Sequence, residues 1–369
     1  MSKDKKKTKL QIAQEKTEAT LKKTNIKIEE LGTHTASLYA ALNDIQELFD
    51  KIRNVPSDKK LEYEELKKIR INWKQQVDKI EEDYKAAVVK DVGKGAVGVG
   101  AGVAVVALGP TAAMGIATTF GVASTGTAIS ALSGAAATNA ALAWLGGGAL
   151  AAGGGGMAAG NALLAMAGPI GWSIAAVAII GSGLLFWKSK SDKAHLETVF
   201  EAISNRDTKS YELSIVELNE RIKRIKDEAP KLNDAIEKIK TFGLDYMKMS
   251  EAQQYELGAY VNLMSASTQL LVNPIVGLQT KFGERDFRKY VACIKEREKR
   301  TKCNTYKDLI IALSNLLYKI ELGDKEKKLL WKSFRNNKDF VASLHIPKGK
   351  FGYDVMEMIF EALDCKYGN

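Results

Sequence analysis

The chain has 369 residues, with 54 Lys+Arg against 44 Asp+Glu, three His, three Cys and a net charge of +10. From Gly95 to Trp187, 93 consecutive residues contain no Asp, Glu, Lys, Arg or His, and 21 Gly with 27 Ala make up over half of them. This excludes an ordinary single soluble domain. The odd, widely spaced Cys293, Cys303 and Cys365 exclude a disulfide framework and point to a reducing compartment.

Met1–Lys9 carries five lysines with no apolar core behind them, which predicts a disordered basic head and no secretory signal. Residues 10–94 read as a helical hairpin. In its first arm Leu10, Ala13, Thr17, Leu21, Thr24, Ile28, Leu31, Thr35, Leu38, Leu42, Ile45, Phe49 and Ile52 recur at spacings of three and four, a coiled-coil seam. The threonines, and Gly32 beside the seam, weaken it, so it needs partners beyond one sister helix. Asn54-Val-Pro-Ser-Asp58 breaks the pattern, with Ser57 or Asp58 available as an N-cap. The second arm aligns Leu66, Ile69, Trp73, Val77, Ile80, Tyr84 and Val88.

Residues 95–187 form the uncharged region. At ~1.5 Å per helical residue it has length for up to about four crossings of a ~30 Å hydrocarbon layer. Gly109-Pro110, Gly146–Gly148, Gly153–Gly156 and Gly168-Pro169 are the natural breaks. The strongest span is Pro169–Trp187, with Ile170, Trp172, Ile174, Val177, Ile179, Ile180, Leu184, Leu185, Phe186 and Trp187 as its insertion residues. Lys188 and Lys190 follow directly, giving an aromatic and cationic interface anchor. Small residues at four-residue spacing, Gly98 with Gly102 and Gly148, Ala152, Gly156 and Gly160, form faces on which helices can approach closely in lipid. Lysines on both flanks put both ends in the cytoplasm and favour two crossings over four. Ala and Gly are barely hydrophobic, so three states stay open: a constitutive membrane protein, a soluble buried core, or a segment tucked into a helical bundle and released later.

Residues 188–243 predict one long amphipathic helix, with Tyr211, Ile215, Leu218, Ile222, Ile225, Ala229, Leu232, Ile236 and Ile239 in unbroken 4-3 alternation and Pro230 inside it. Residues 244–369 predict a helical C-terminal subdomain with helices over Tyr255–Val272, Glu284–Lys302, Tyr306–Leu322 and Lys325–Leu344. The fold class is therefore all-α: long helices flanking a Gly/Ala-rich membrane-inserting hairpin, then a helical subdomain.

The run from Thr125-Gly-Thr-Ala-Ile-Ser through Trp144-Leu-Gly-Gly-Gly148 to Gly160 resembles a stretch that recurs in bacterial glycine-zipper membrane proteins. In plan, an apolar hairpin between long amphipathic helices resembles α-helical pore-forming toxins of the cytolysin A and haemolysin BL type, and more loosely the apolipoprotein L family. These resemblances imply lipid insertion and oligomeric pore formation. A toxin acting on its own producer, or an antiviral defence effector, needs no secretion signal.

Enzyme chemistry finds little support. Gly93-Lys-Gly-Ala-Val-Gly98 matches the dinucleotide fingerprint, but a charged helix precedes it and the next acid is Asp192. Cys293, Cys303, Cys365 and the histidines lack zinc spacing. No cofactor or metal is expected. Lys295, Arg297, Lys299, Arg300 and Lys302 form a basic run with Glu296 and Glu298 interleaved. It is either a solvated face or a surface for anionic headgroups, at roughly 1 kcal/mol per nearby cation. Nucleic acid is disfavoured, because no groove-reading module accompanies the run. The expected partners are a lipid bilayer and further copies of the chain through the coiled-coil helices. The expected location is the cytoplasm at synthesis, then either the inner membrane or a switch between soluble and membrane-bound states. The function that follows is a membrane-inserting, oligomerising protein that permeabilises a bilayer; the alternative is a non-lytic, membrane-anchored scaffold or tether.

Overall fold

The computed structural model describes residues 7–92, 110–120, 189–279, 281–336 and 351–368. Among these the fold is all-α, without strands; the one extended pairing is an isolated parallel bridge between Arg53 and Asp245.

Helix α1 (Lys9–Lys51) opens on a capping box, in which Gln11 N donates to Thr8 Oγ1 at 3.2 Å and Thr8 N donates to Gln11 Oε1 at 2.9 Å. Every residue of the predicted seam from Leu10 to Ile52 is buried. The chain reverses at Asn54, whose φ of 60° is a left-handed conformation that asparagine tolerates better than most residues. Helix α2 (Ser57–Val92) then returns along α1, with Tyr39 against Trp73 and Phe49 against Tyr63 at ring-centroid distances of 5.1 and 5.2 Å.

Helix α3 (Pro110–Phe120) is the described part of the uncharged region. Helix α4 (Lys190–Ile239) follows it in the described chain, 50 residues or about 75 Å long, and runs through Pro230 without interruption. Helix α5 (Glu251–Val272) turns back along α4 after a short 3-10 turn at Tyr246–Lys248. Arg221 Nη1 ties this pair by donating to the carbonyls of Leu270 and Asn273, both at 2.8 Å.

Two helical hairpins therefore lie side by side, and α1 runs parallel to α4. Their register is constant. Thr17 Oγ1 meets Thr208 Oγ1 at 2.8 Å near one end, and Asn54 Nδ2 donates to Asp245 Oδ1 at 2.9 Å near the other; each pair is 191 residues apart in sequence. Thr17 Oγ1 also lies 3.0 Å from Ser204 O, whereas Thr24 Oγ1 donates within α1 to Thr20 O at 3.0 Å and Thr35 Oγ1 is buried without a partner among the described residues. A buried hydroxyl with a partner avoids a desolvation cost of about 1–3 kcal/mol.

The apolar side chains divide between two cores. The first joins α1, α2, α3, the later part of α4, α5 and the turn to Leu278. The second begins at Phe282 and gathers α6 (Glu284–Cys293), α7 (Arg297–Thr305), α8 (Lys307–Leu317), α9 (Asp324–Asn336) and α10 (Tyr353–Tyr367) around Leu313, Phe334 and Ile359. Leu196, Val199, Phe200 and Ile203 of α4, with Leu10 of α1, complete it. One helix thus serves both cores.

Helix limits differ from the sequence reading: α5 starts at Glu251 rather than Tyr255, and α10 falls where no helix is expected. Glu284–Lys302 is two helices, because Ile294 turns extended and buries in the second core between them. The helix expected over Tyr306–Leu322 spans Lys307–Leu317. Arg206 of α4 ends it by donating to the carbonyls of Leu316 and Tyr318 at 2.8 and 2.5 Å, and Lys319 follows at φ 55°. The last, expected from Lys325, starts at Asp324 and is described to Asn336.

Candidate membrane-insertion segment and its cradle

Proline suits the first position of α3, where no intrahelical N–H bond is required. The helix lies against α1, α2 and α5. Ala113, Gly115, Ile116, Ala117, Thr118 and Thr119 are all buried. At its far end Thr119 O accepts from Ile275 N at 2.7 Å, so the turn after α5 satisfies one of the carbonyls a helix C-terminus leaves unpaired. The Thr119 hydroxyl donates back to Gly115 O at 2.7 Å.

The approach to α1 is backbone against backbone. A β-carbon on Gly32 would stand 1.8 Å from Thr111 O, and one on Gly115 would stand 2.1 Å from Ile28 O. No side chain fits at either position. Glycine here lets the helix axes come closer than alanine would, and the closeness brings the main-chain atoms of both helices into dispersion contact. Ala113, Ile116 and Ala117 join the first core, and Met114 packs against it half-buried. Among the described side chains of α3, Ile116 is the large aliphatic one that is fully buried, a contribution of about 1.5–3 kcal/mol. Against it, Thr118 Oγ1 is buried with no hydrogen-bond partner among the described residues, a cost of about 1–3 kcal/mol. The cradle fits α3 closely.

Further along the bundle a polar chain joins three helices. Lys67 Nζ reaches Asp50 Oδ2 at 2.6 Å, Gln46 Nε2 donates to Asp50 Oδ1 at 2.9 Å, and Arg70 donates to Gln46 Oε1 and, at 3.1 Å, to Thr268 Oγ1. Arg70 is 2% exposed, and burial lowers its pKa to about 10. The guanidinium thus links α1, α2 and α5 through neutral acceptors, with the Asp50 carboxylate one residue removed.

The insertion residues Ile170, Trp172, Ile174, Val177, Ile179, Ile180, Leu184, Leu185, Phe186 and Trp187 lie outside the described residues. So do Gly98, Gly102, Gly148, Ala152, Gly156, Gly160 and Lys188. Lys190 is exposed at the start of α4, whose N-cap is Ser189. Among the described residues no helix is long and apolar enough to cross a membrane; α3, at 11 residues, reaches about 16 Å.

The basic run divides. Lys299 Nζ pairs with Glu361 Oε1 at 2.8 Å, Lys302 with Asp354, and Arg300 donates to Ile294 O. Those three cations hold α7 to α10 and to the loop before it. Lys295 and Arg297 are exposed. An open cleft of about 410 Å³ beside them is lined by Phe287, Arg288, Val291, Ala292, Arg300 and Asn304. Among the described residues no group of three or more His, Cys, Asp or Glu side chains could hold a metal ion.

Sequence reasoning missed the Gly32–Gly115 crossing. The signal was present in one partner, a glycine set beside an otherwise regular seam, but Gly115 is one of 21 glycines in its region. No protein-family model matches the chain, and no curated protein or solved structure matches it either.

Proposed function

We propose that the chain is a membrane-inserting protein that stores its uncharged region against a charged helical bundle and permeabilises a bilayer on release. The observation that carries this reading is the placement of α3. It belongs to a 93-residue uncharged sequence, yet it packs among three helices of a bundle rich in charged residues, meeting α1 backbone to backbone at Gly32 and Gly115.

In this reading the Pro169–Trp187 span supplies the apolar drive, Lys188 and Lys190 mark the interface, and the Gly148, Ala152, Gly156, Gly160 face packs copies together in lipid. Ser, Thr and Asn residues between 124 and 161 line the wet side. Lys295 and Arg297 attract anionic headgroups. The cytoplasmic membrane is the target, and no bond is made or broken. A tether is the rival, and the length of α4, about 75 Å, is what favours it.

Liposomes holding a self-quenched dye separate the two. A pore former releases the dye, and Ile179→Asp with Ile180→Asp abolishes both release and carbonate-resistant binding, because two acids near a helix centre cost about 5–7 kcal/mol on insertion scales. Gly156→Leu retains binding and loses oligomer crosslinks. Binding by the wild type with the dye retained assigns the tether instead.

A further inference from the structure

Helices α6 and α7 are joined through the extended residue Ile294, and the open cleft of about 410 Å³ lies between them. Helical spacing builds its walls. On α6, Phe287 and Val291 are four residues apart, as are Arg288 and Ala292, so all four share one side of that helix; on α7, Arg300 and Asn304 repeat the spacing. The lining is apolar at Phe287, Val291 and Ala292 and carries one arginine from each helix. An apolar concavity of this size with a few convergent polar groups has the anatomy of a small-molecule site.

The two guanidiniums stand differently. Arg300 donates to Ile294 O, which holds its stem at the turn and engages one of its five N–H groups. Arg288 Nη2 meets Glu284 Oε1 at 3.0 Å, but the arginine side chain is 70% exposed, and such surface pairs have little net strength. Lys307 Nζ reaches the same Glu284 oxygen at 3.0 Å. Glu284 therefore keeps a cation when Arg288 turns to a ligand. Residues 284–302 carry eight Lys or Arg against four Asp or Glu, and of those acids Glu284 and Asp286 are held by Lys307 and Lys366. Lys299 and Lys302 are likewise paired with α10, which leaves six cations against Glu296 and Glu298. The surplus charge around the cleft is positive.

We infer that the cleft seats one anionic phospholipid, its phosphate held between Arg288 and Arg300 and the first carbons of its chains against Phe287, Val291 and Ala292. Planar guanidiniums suit phosphate, since each presents paired N–H groups to its oxygens. Lys295 and Arg297, exposed beside the cleft, strengthen the field that draws the headgroup in. The choice of a lipid among anions rests on the membrane reading above and on the apolar lining, which a free phosphate leaves unused. The seat belongs to the same core as Leu196, Val199, Phe200 and Ile203, the part of α4 that follows the uncharged region. A lipid held there brings the end of that region to the bilayer.

The test is calorimetric titration of the full-length protein with dihexanoyl phosphatidic acid, kept below the concentration at which it forms micelles, so that no bilayer is involved. The wild type should bind it at one site, with inorganic phosphate and dihexanoyl phosphatidylcholine each weaker by about tenfold or more. Two variants should weaken binding by a similar factor with the melting transition unmoved. Arg288→Gln leaves Glu284 its bond to Lys307, and Ala292→Trp fills the cleft from an exposed position while keeping both arginines. Inorganic phosphate binding as tightly as the lipid would overturn the apolar contact, and phosphatidylcholine doing so would overturn the charge contact. Absence of saturable binding, or full binding in both variants, would overturn the site. An acidic peptide with leucine at every fourth position that binds more tightly than the lipid would overturn it in favour of a protein partner. Dye release is read separately: a wild type that binds the soluble lipid at this cleft yet releases no dye supports the site and removes the pore.

Discussion

Gly32 and Gly115 sit at a crossing so close that the Gly115 amide nitrogen lies 3.0 Å from where a β-carbon on Gly32 would stand, and the Gly32 nitrogen 3.1 Å from one on Gly115. Alanine at either site must push the helices apart by more than an ångström, since the nearest atoms are main-chain carbonyls that have nowhere to yield. Gly115→Ala should therefore lower stability by about 1–3 kcal/mol, the range for forced overpacking, and should raise hydrogen exchange across residues 110–120 well before the rest of the bundle. Gly32→Ala should match it. Alanine normally stabilises a helix interior by about 0.5–1 kcal/mol relative to glycine. An unchanged or higher denaturation midpoint in both variants would remove the crossing from the account.

Acid should loosen the same region. Burial first, then the Lys226 ammonium, push His34 below its ordinary value of 6.5, and Glu30 only partly offsets them. The hydrogen bond from Lys27 at 2.7 Å and the charge of Lys226, 3.4 Å away on α4, hold Glu30 below its ordinary 4.5 despite some burial. Both folded values are depressed. Each group thus contributes stability that is complete above its ordinary value and is lost as pH falls through the folded one. His34 acts first, below 6.5, and Glu30 below 4.5. Urea midpoints should fall between about pH 7 and pH 5, the usual histidine window, and His34→Gln should flatten that part of the curve. A midpoint that rises on acidification, or an identical fall in His34→Gln, would contradict the assignment.

The buried guanidinium gives a third expectation. Gln46→Leu removes an acceptor and leaves the Arg70 charge facing apolar atoms, a loss of about 1–3 kcal/mol. Arg70→Met removes the charge and keeps most of the stem volume, and replacements of buried ionic groups by packed apolar ones are commonly neutral or better. The order of chemical denaturation midpoints should be Arg70→Met at or near wild type and Gln46→Leu clearly below. The reverse order would mean that the charge itself holds α2 to α5.

The individual helices were legible because burial follows a short period: each seam residue of α1 faces inward, and Leu218, Ile222, Ile225 and Leu232 of α4 do the same. Which helices pair was not legible. Thr17 and Thr208 interrupt two separate stripes when each is read alone, and only the 191-residue register makes them partners. The limits that failed are set by distant groups, Ile294 by the second core and Leu317 by Arg206. In the candidate site, the charge gap was plain from composition. The cradle was not, since a close backbone approach needs two glycines in register and sequence marks only their presence.

In the proposed mechanism α3 leaves its cradle when the protein permeabilises a membrane. The most direct measurement is hydrogen exchange of the 110–120 segment in wild-type protein mixed with anionic vesicles, read beside dye release from the same vesicles. Protection of this segment should fall as dye escapes, Gly115→Ala should speed both, and the Ile179→Asp, Ile180→Asp variant should show neither. Dye release with the segment as protected as in solution would contradict it.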